Sequence, residues 1–419
     1  MKQNQLQLPS ISSKQISYRW SKMIALLIVL WMINIACGDS STNVDPDLGQ
    51  VNVEITTTGG DENPPGVLVS FQGEGNKNVD ANDSATFSNL EPGTYSVEIT
   101  NIADHCAVTS ENPQSVEITG SETANLSFVM NCIGILRNKI VFARHENGVT
   151  NLYKSDPDGN NRTQLTDFGI GEYWKVAVSP DGLNILFASA GGEFTTAQIW
   201  MVDADGQNLQ NLTSDNQRFY EYPSWSPDGS QIAYHSYVPG GEGDIFIMNA
   251  DGSGKTNVTN SSTGDWWPDW SPDGNKIAFH TIEAGKAHYI STINVDGTGR
   301  SVLLQGESTF FANPSWSPDG NKIAFRSNFE TEVSWEICVA EADGSDIECL
   351  TDLGDEQITH RFPSWSPDGS HIAFDSNRDS SADLFDVFVV GTDGSGLTNI
   401  TGKDDNSASF FPHWSPLAE

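Results

Sequence analysis

Four polar residues, His235, His280, Arg326 and Asp375, hold one position in four consecutive copies of a repeated segment, at the end of the second strand expected in each copy. Ala143 and Ala188 fill that position in the two copies before them. The loops that open the copies do not repeat, and they supply Tyr173-Trp174, Tyr220-Glu221-Tyr222, Asp265-Trp266-Trp267, Phe310-Phe311, His360-Arg361-Phe362 and Phe410-Phe411. Imidazole, guanidinium and carboxylate groups between aromatic walls can recognise a ligand or a peptide. Tyr220, Glu221, His235, Trp266, Trp267, His280, Phe310, Arg326, His360, Arg361 and Asp375 are therefore expected to form a binding face. The same residue types have blander uses, since such rings also plug channels or pack between units, and buried histidines often bond only to neighbouring backbone.

Catalytic patterns are scarce. No G-x-S-x-G elbow occurs, and His145-Glu146 has no second His at the spacing of a zinc protease. Gly252-Ser253-Gly254-Lys255-Thr256 imitates the end of a phosphate loop, but its first glycine would fall on Asn249. Gly394-Ser395-Gly396-Leu397-Thr398 keeps the same register without the lysine, so both read as hairpin turns. The D-x-D-G strings lack the bidentate Glu and spacing of a calcium loop and read as turns, while Asp80, Asn82 and Asp83 could hold calcium but more often such a loop is only solvated. Neither a metal nor a cofactor is expected, and the chain is read as non-enzymatic.

The elements that position these residues come from a repeat. Ser-Pro-Asp-Gly begins at Ser179, Ser226, Ser271, Ser317 and Ser366, at intervals of 47, 45, 46 and 49, and a partial copy follows at Ser415. Trp precedes the Ser in all but the first. Strands such as Gln231–Tyr234 and Asp244–Met248 follow, then Asp-Gly turns at Asp158, Asp205, Asp251, Asp296, Asp343 and Asp393. A period in the mid-forties with four short strands per unit predicts a β-propeller, here of six blades. Residues 137–419 start without their Ser-Pro-Asp-Gly strand and finish on only that strand, so the C-terminal strand should complete blade one. The Ser-Pro-Asp-Gly and Asp-Gly turns then share one face, and the binding residues lie on the other.

Before the propeller, 51–133 alternates as strands (Val51–Ile55, Val67–Phe71, Tyr95–Ile99) and reads as a small antiparallel β-sandwich, giving an all-β chain. Residues 1–36 carry Lys2, Lys14, Arg19 and Lys22, no acid, and an apolar run from Met23 to Ile33, as a signal peptide does. Residues 37–50 form a polar tether. The whole chain has 21 Lys and Arg against 56 Asp and Glu, a charge of −35, or −39 once that segment is removed. Such acidity excludes nucleic acid as a partner and charge-driven docking on anionic lipid. Apart from Cys37, the cysteines are even in number and suit an oxidising compartment. Cys338 and Cys349 flank Asp343-Gly344 symmetrically and should bridge a hairpin, leaving Cys106 and Cys132 to staple the sandwich.

Three resemblances follow from these strings. Ala36-Cys37-Gly38 resembles a bacterial lipoprotein signal, which implies lipidation of Cys37 and an exported protein of the cell envelope, held by its N-terminal lipid on the periplasmic or cell-surface side of the outer membrane. Phe87-x-x-Leu90-x-Pro92-Gly93-x-Tyr95 resembles carboxypeptidase-regulatory-like and prealbumin-like modules. W-S-P-D-G-x-x-I-A-F with D-G-S turns resembles the TolB-like propeller family over about 280 of the 419 residues. That family implies an envelope protein or peptide as partner. A carbohydrate-binding propeller is the alternative, and a polysaccharide lyase or hydrolase using His235, His280 and Arg326 is less favoured, because an acidic chain suits an acidic sugar poorly.

Overall fold

The computed structural model describes residues 47–59, 64, 66–103, 105–132, 134–168, 173–191, 194–328, 334–351, 358–379, 384–402 and 407–417. The signal segment, Cys37 and all but the end of the tether lie outside the described residues, as do the side chains of Tyr173 and Trp174. The described elements are all strands.

Eight strands build the first module: β1 (Gly49–Thr58), β2 (Val67–Phe71), β3 (Gly75–Val79), β4 (Ser84–Leu90), β5 (Gly93–Thr100), β6 (Cys106–Val108), β7 (Gln114–Ile118) and β8 (Thr123–Cys132). They form two sheets, β4-β1-β8-β6 and β3-β2-β5-β7. Alternate residues such as Val51, Val53, Ile55, Val69, Phe71, Val97 and Phe128 fill one core between them. The sandwich is not wholly antiparallel, because β1 and β8 pair in parallel. Two strands from opposite ends of the module can run parallel, since the six between them supply the long return connection that a parallel pair needs. Pro92 sits where the chain leaves one sheet for the other, and there the Tyr95 hydroxyl donates to the Glu91 carbonyl at 2.9 Å. Asn82, at φ 58°, bonds both the amide and the hydroxyl of Thr57, as a turn residue does. Cys106 and Cys132 are disulfide-bonded across β6 and β8.

Six four-stranded antiparallel sheets follow. Their innermost strands are Tyr173–Val178, Phe219–Trp225, Gly264–Trp270, Phe311–Trp316, His360–Trp365 and Ala408–Trp414. Each packs against the next and the last against the first, which closes a ring of six blades. Ala408–Trp414 pairs with Ile140–Glu146 to complete blade one, and the Lys139 amide donates to Ser415 Oγ at 2.7 Å.

The repeated turns explain their own sequence. In Ser226-Pro227-Asp228-Gly229 the serine hydroxyl donates to Asp228 Oδ1 at 2.6 Å and accepts the Gln231 amide at 2.9 Å, while Gly229 takes φ 70°. Those hydrogen bonds hold Asp228, Asp273, Asp319 and Asp368 below the usual carboxylate range. In the Asp-Gly turns the glycine also answers a close approach, for a Cβ on Gly252 would lie 2.6 Å from the Leu212 carbonyl of the preceding blade. Gly159 meets the Ile400 carbonyl in the same way, again joining blade one to blade six. Lys255 donates to the Gly252 carbonyl at 2.7 Å, as a residue of a hairpin turn. Cys338 and Cys349 are bonded across adjacent strands of blade five.

Candidate functional site

Each innermost strand carries a bulge at the same place, and the bulged residue is left-handed without being glycine: Lys175, Tyr222, Trp267, Asn313, Phe362 and Phe411, with φ between 51° and 56°. For bulky residues such φ values cost on the order of 1–3 kcal/mol each, so surrounding contacts must hold them. The contacts are on the propeller axis. Tyr222 meets Trp267 edge-on at 5.5 Å and Phe362 at 6.1 Å, and Phe362 meets Phe411 at 4.5 Å, although the four belong to different blades. The rings plug the channel, and the Asn313 side chain is buried beside them with neither polar atom bonded.

Two residues further along each strand, a second ring faces the Ser-Pro-Asp-Gly side. Asp269 Oδ2 accepts the Trp316 amide of the next blade at 2.8 Å, Ser364 Oγ accepts that of Trp414 at 3.0 Å, and His413 Nδ1 that of Val178 at 3.3 Å. Lys175 makes no hydrogen bond to a described residue; burial lowers its pKa, opposed by the charge of Asp269. Lys175 is partly exposed and lines the narrow space among the axial rings. Burial raises Asp269 to about 6, with Lys175 opposing, and lowers His413 to about 3.

The other mouth of the channel joins blades three to six. His235 packs on Trp266 at 3.9 Å and has Glu221 at 3.8 Å from Nδ1. Trp267 stacks on His280 at 4.7 Å, and His280 leads through His288 to Phe310 and Trp335. The Arg326 guanidinium lies over the rings of Trp335, at 4.3 Å, and Trp267, at 5.6 Å. Arg361 takes a two-point bond to Asp375, at 2.9 and 3.4 Å, and stacks on Phe385. Asp375 also accepts the Phe411 amide at 3.1 Å, so its charge is committed.

Burial sets the protonation here. It pushes His235 down to about 3 and His280 well below the imidazole range, so both are neutral at pH 7. It raises Glu221 to about 7, with the Tyr237 hydroxyl opposing. Glu221 and His235 are therefore not an ion pair despite their proximity. Arg326 is drawn down to about 10 by burial and by Arg361, and remains charged.

A family model described as the TolB beta propeller domain matches residues 216–418, which cover blades three to six and the closing strand. Over these residues the propeller is TolB-like. An uncharacterized protein of Agrobacterium fabrum is 29% identical over 108 residues, which are 24% of this chain and 36% of that one. The Tol-Pal system protein TolB of Albidiferax ferrireducens is 48% identical over 40 residues, 10% of this chain and 9% of its own. These matches thus span about a third or less of the curated relatives. The crystal structure of TolB from Acinetobacter baumannii superposes with a TM-score of 0.56 at 20% identity, covering 67% of each chain, a likeness of fold.

Within this TolB-type propeller the expected face divides by depth. His235 is 0% exposed, His280 1% and Asp375 0%; they underlie the mouth and do not rim it. Tyr220 and His360 are buried too, Tyr220 donating to Asp215 at 2.5 Å and His360 edge-on to Phe374, because the strand alternation turns their position into the blades. Glu221, Trp266, Trp267, Phe310, Arg326 and Arg361 are partly exposed and form the cluster. Trp335, His288, Tyr237 and Phe385 belong to it as well. Tyr237 ends the second strand of blade three and the others come from the loops between second and third strands, which carry no repeated motif, so only knowledge of the blade geometry could have singled them out.

Proposed function

We propose that the chain is a non-enzymatic, lipid-anchored protein of a bacterial cell envelope whose propeller mouth binds a protein or peptide partner. The observation that carries this reading is the concentration of partly exposed aromatic rings and two guanidinium groups at one mouth of a chain of charge −35. On the opposite face the turn carboxylates are occupied by their own hydrogen bonds. The chain also enters the propeller on that opposite side, where the Leu136 amide donates to the Gly182 carbonyl, so the segment before it does not begin at the mouth.

The buried, neutral state of His235 and His280 disfavours acid–base work by them at the mouth. A sugar-stacking site on Trp267 is disfavoured because His280, Tyr222, Phe362 and Arg326 already surround that ring. The test is affinity capture from detergent-solubilised envelope of the source cell with three baits: the native chain, Phe310→Ala/Trp335→Ala at the mouth, and Lys276→Ala/Lys322→Ala at the turn face. A protein held by the first and third baits and lost by the second is expected. Equal recovery by all three would remove the partner from this face.

A further inference from the structure

Arg326 stands apart from the other cations of the propeller mouth. Its neighbour Arg361 is bonded to Asp375, which also accepts the Phe411 amide; the Asp375 carboxylate attracts Arg326 through space but makes no hydrogen bond or ion pair with it. Arg326 has neither a hydrogen bond nor an ion pair with any described residue. Of its three nitrogens only Nε is sealed from solvent, so the two terminal nitrogens reach the mouth. The nearby imidazoles of His280 and His288 are held neutral by burial and by Arg326 itself, and Glu221 belongs to the His235 side of the cluster.

A guanidinium removed from water without a partner is costly, and the cost is offset when an anion supplies the missing hydrogen bonds. The Arg326 guanidinium packs against two tryptophan rings, Trp335 at 4.3 Å and Trp267 at 5.6 Å, which restrict the side chain, so a two-point acceptor meets a partly ordered fork. Phe310, 6.1 Å from Trp335, extends the wall with apolar surface. We propose that this slot binds a carboxylate of a peptide, received in a two-point bond by the Arg326 guanidinium beside Trp335 and Trp267, with an apolar residue next to that carboxylate resting on Phe310 and Trp335.

The proposal rests on the peptide-binding reading above and names its chemistry. The test titrates the full chain in detergent with fluorescein-labelled Gly-Phe-Glu-Phe-Gly carrying an amidated C-terminus, with its Gln analogue, with Gly-Phe-Gly-Phe carrying a free C-terminus, and with an oligogalacturonate. Anisotropy is read for the labelled peptides and calorimetry for the sugar. Binding of either carboxylate peptide is expected, at least tenfold weaker in the Arg326→Gln protein, with Arg326→Lys intermediate because it keeps charge without the fork. The Glu peptide and the free C-terminus separate a side-chain carboxylate from a terminal one. The Gln analogue binding as well as the Glu peptide, Arg326→Gln leaving affinity unchanged, or binding of the sugar alone would each overturn the proposal. Arg326→Gln removes a buried charge, so the fold is expected to survive; Trp335→Leu, which retains the charge and removes the stack, should weaken the same peptides and guards against a folding artefact. If envelope capture still depends on Phe310 and Trp335 while Arg326→Gln is silent, the face binds protein without this carboxylate contact, and only the proposal falls.

Discussion

Val178 donates its amide to Nδ1 of His413 at 3.3 Å, joining residues 235 positions apart. The bond is one link of the ring, for His413 belongs to the strand that the C-terminus adds to blade one. Beside it, Ser415 takes the Lys139 amide as the other repeat serines take an amide within their own turn.

Ser415→Ala should therefore weaken the closure and not merely one turn. Removing the acceptor leaves a part-buried amide unpaired, at about 1–3 kcal/mol. Urea unfolding followed by near-UV circular dichroism should show a lower midpoint, against little change for Ser230→Ala, whose hydroxyl bonds only within an exposed turn. An unmoved midpoint in Ser415→Ala would mean that water satisfies Lys139 and that closure rests on packing alone.

Glu221 gives a pH signature. Its folded pKa, about 7, lies above the ordinary value of 4.5, so the folded state holds this proton more tightly than the unfolded chain does. The corresponding stability is complete below pH 4.5 and is lost as pH rises toward 7. The shift corresponds to on the order of 3 to 4 kcal/mol. Glu221→Gln should remove that slope, so that the variant gains on the native protein between pH 5 and pH 8. Parallel stability curves for the two proteins would show that Glu221 stays ionised in the fold.

The contrast between turns and axis shows where sequence reasoning reached. The Ser-Pro-Asp-Gly spacing is a local code, with each serine and aspartate bonding within five residues, so blade number, ring closure and the turn face could be read from it. Asp-Gly flanked symmetrically by Cys338 and Cys349 is likewise local. The bulge is different: for Tyr222, Trp267 and Phe362 in the string x-Pro-x-Trp the sequence leaves a binding face and a channel plug both open, and the left-handed turn before the proline sends them to the axis. Depth also escaped, because His235 and His280 share a strand position with Arg326, yet only the arginine is long enough to bring its terminal nitrogens out past the tryptophans.

Lys175 and Asp269 were not legible as partners, being in blades two and four, but their charges meet across the axis. Lys175→Met should destabilise the protein by roughly 2–4 kcal/mol at pH 8, since it leaves a carboxylate buried without a counter-charge. At pH 5 the loss should shrink, because Asp269 is protonated there. Lys175→Met/Asp269→Asn should recover most of the loss, and a double-mutant cycle measures the coupling. Additive effects at both pH values would show that the two charges are screened from one another.

The two disulfides belong to separate cores, Cys106–Cys132 to the sandwich and Cys338–Cys349 to blade five. Each closes a loop in the unfolded chain, 26 and 11 residues apart in sequence, and such loops stabilise by about 2–4 kcal/mol. Cys338→Ser/Cys349→Ser should lower the midpoint of the propeller and leave that of the sandwich in place, and Cys106→Ser/Cys132→Ser should do the reverse. Differential scanning calorimetry resolves the two transitions, and tryptophan fluorescence assigns the propeller's, because the twelve tryptophans include none between residues 47 and 132. A single transition moved equally by either pair would mean that the two modules unfold as one unit, through contacts stronger than their separate cores require.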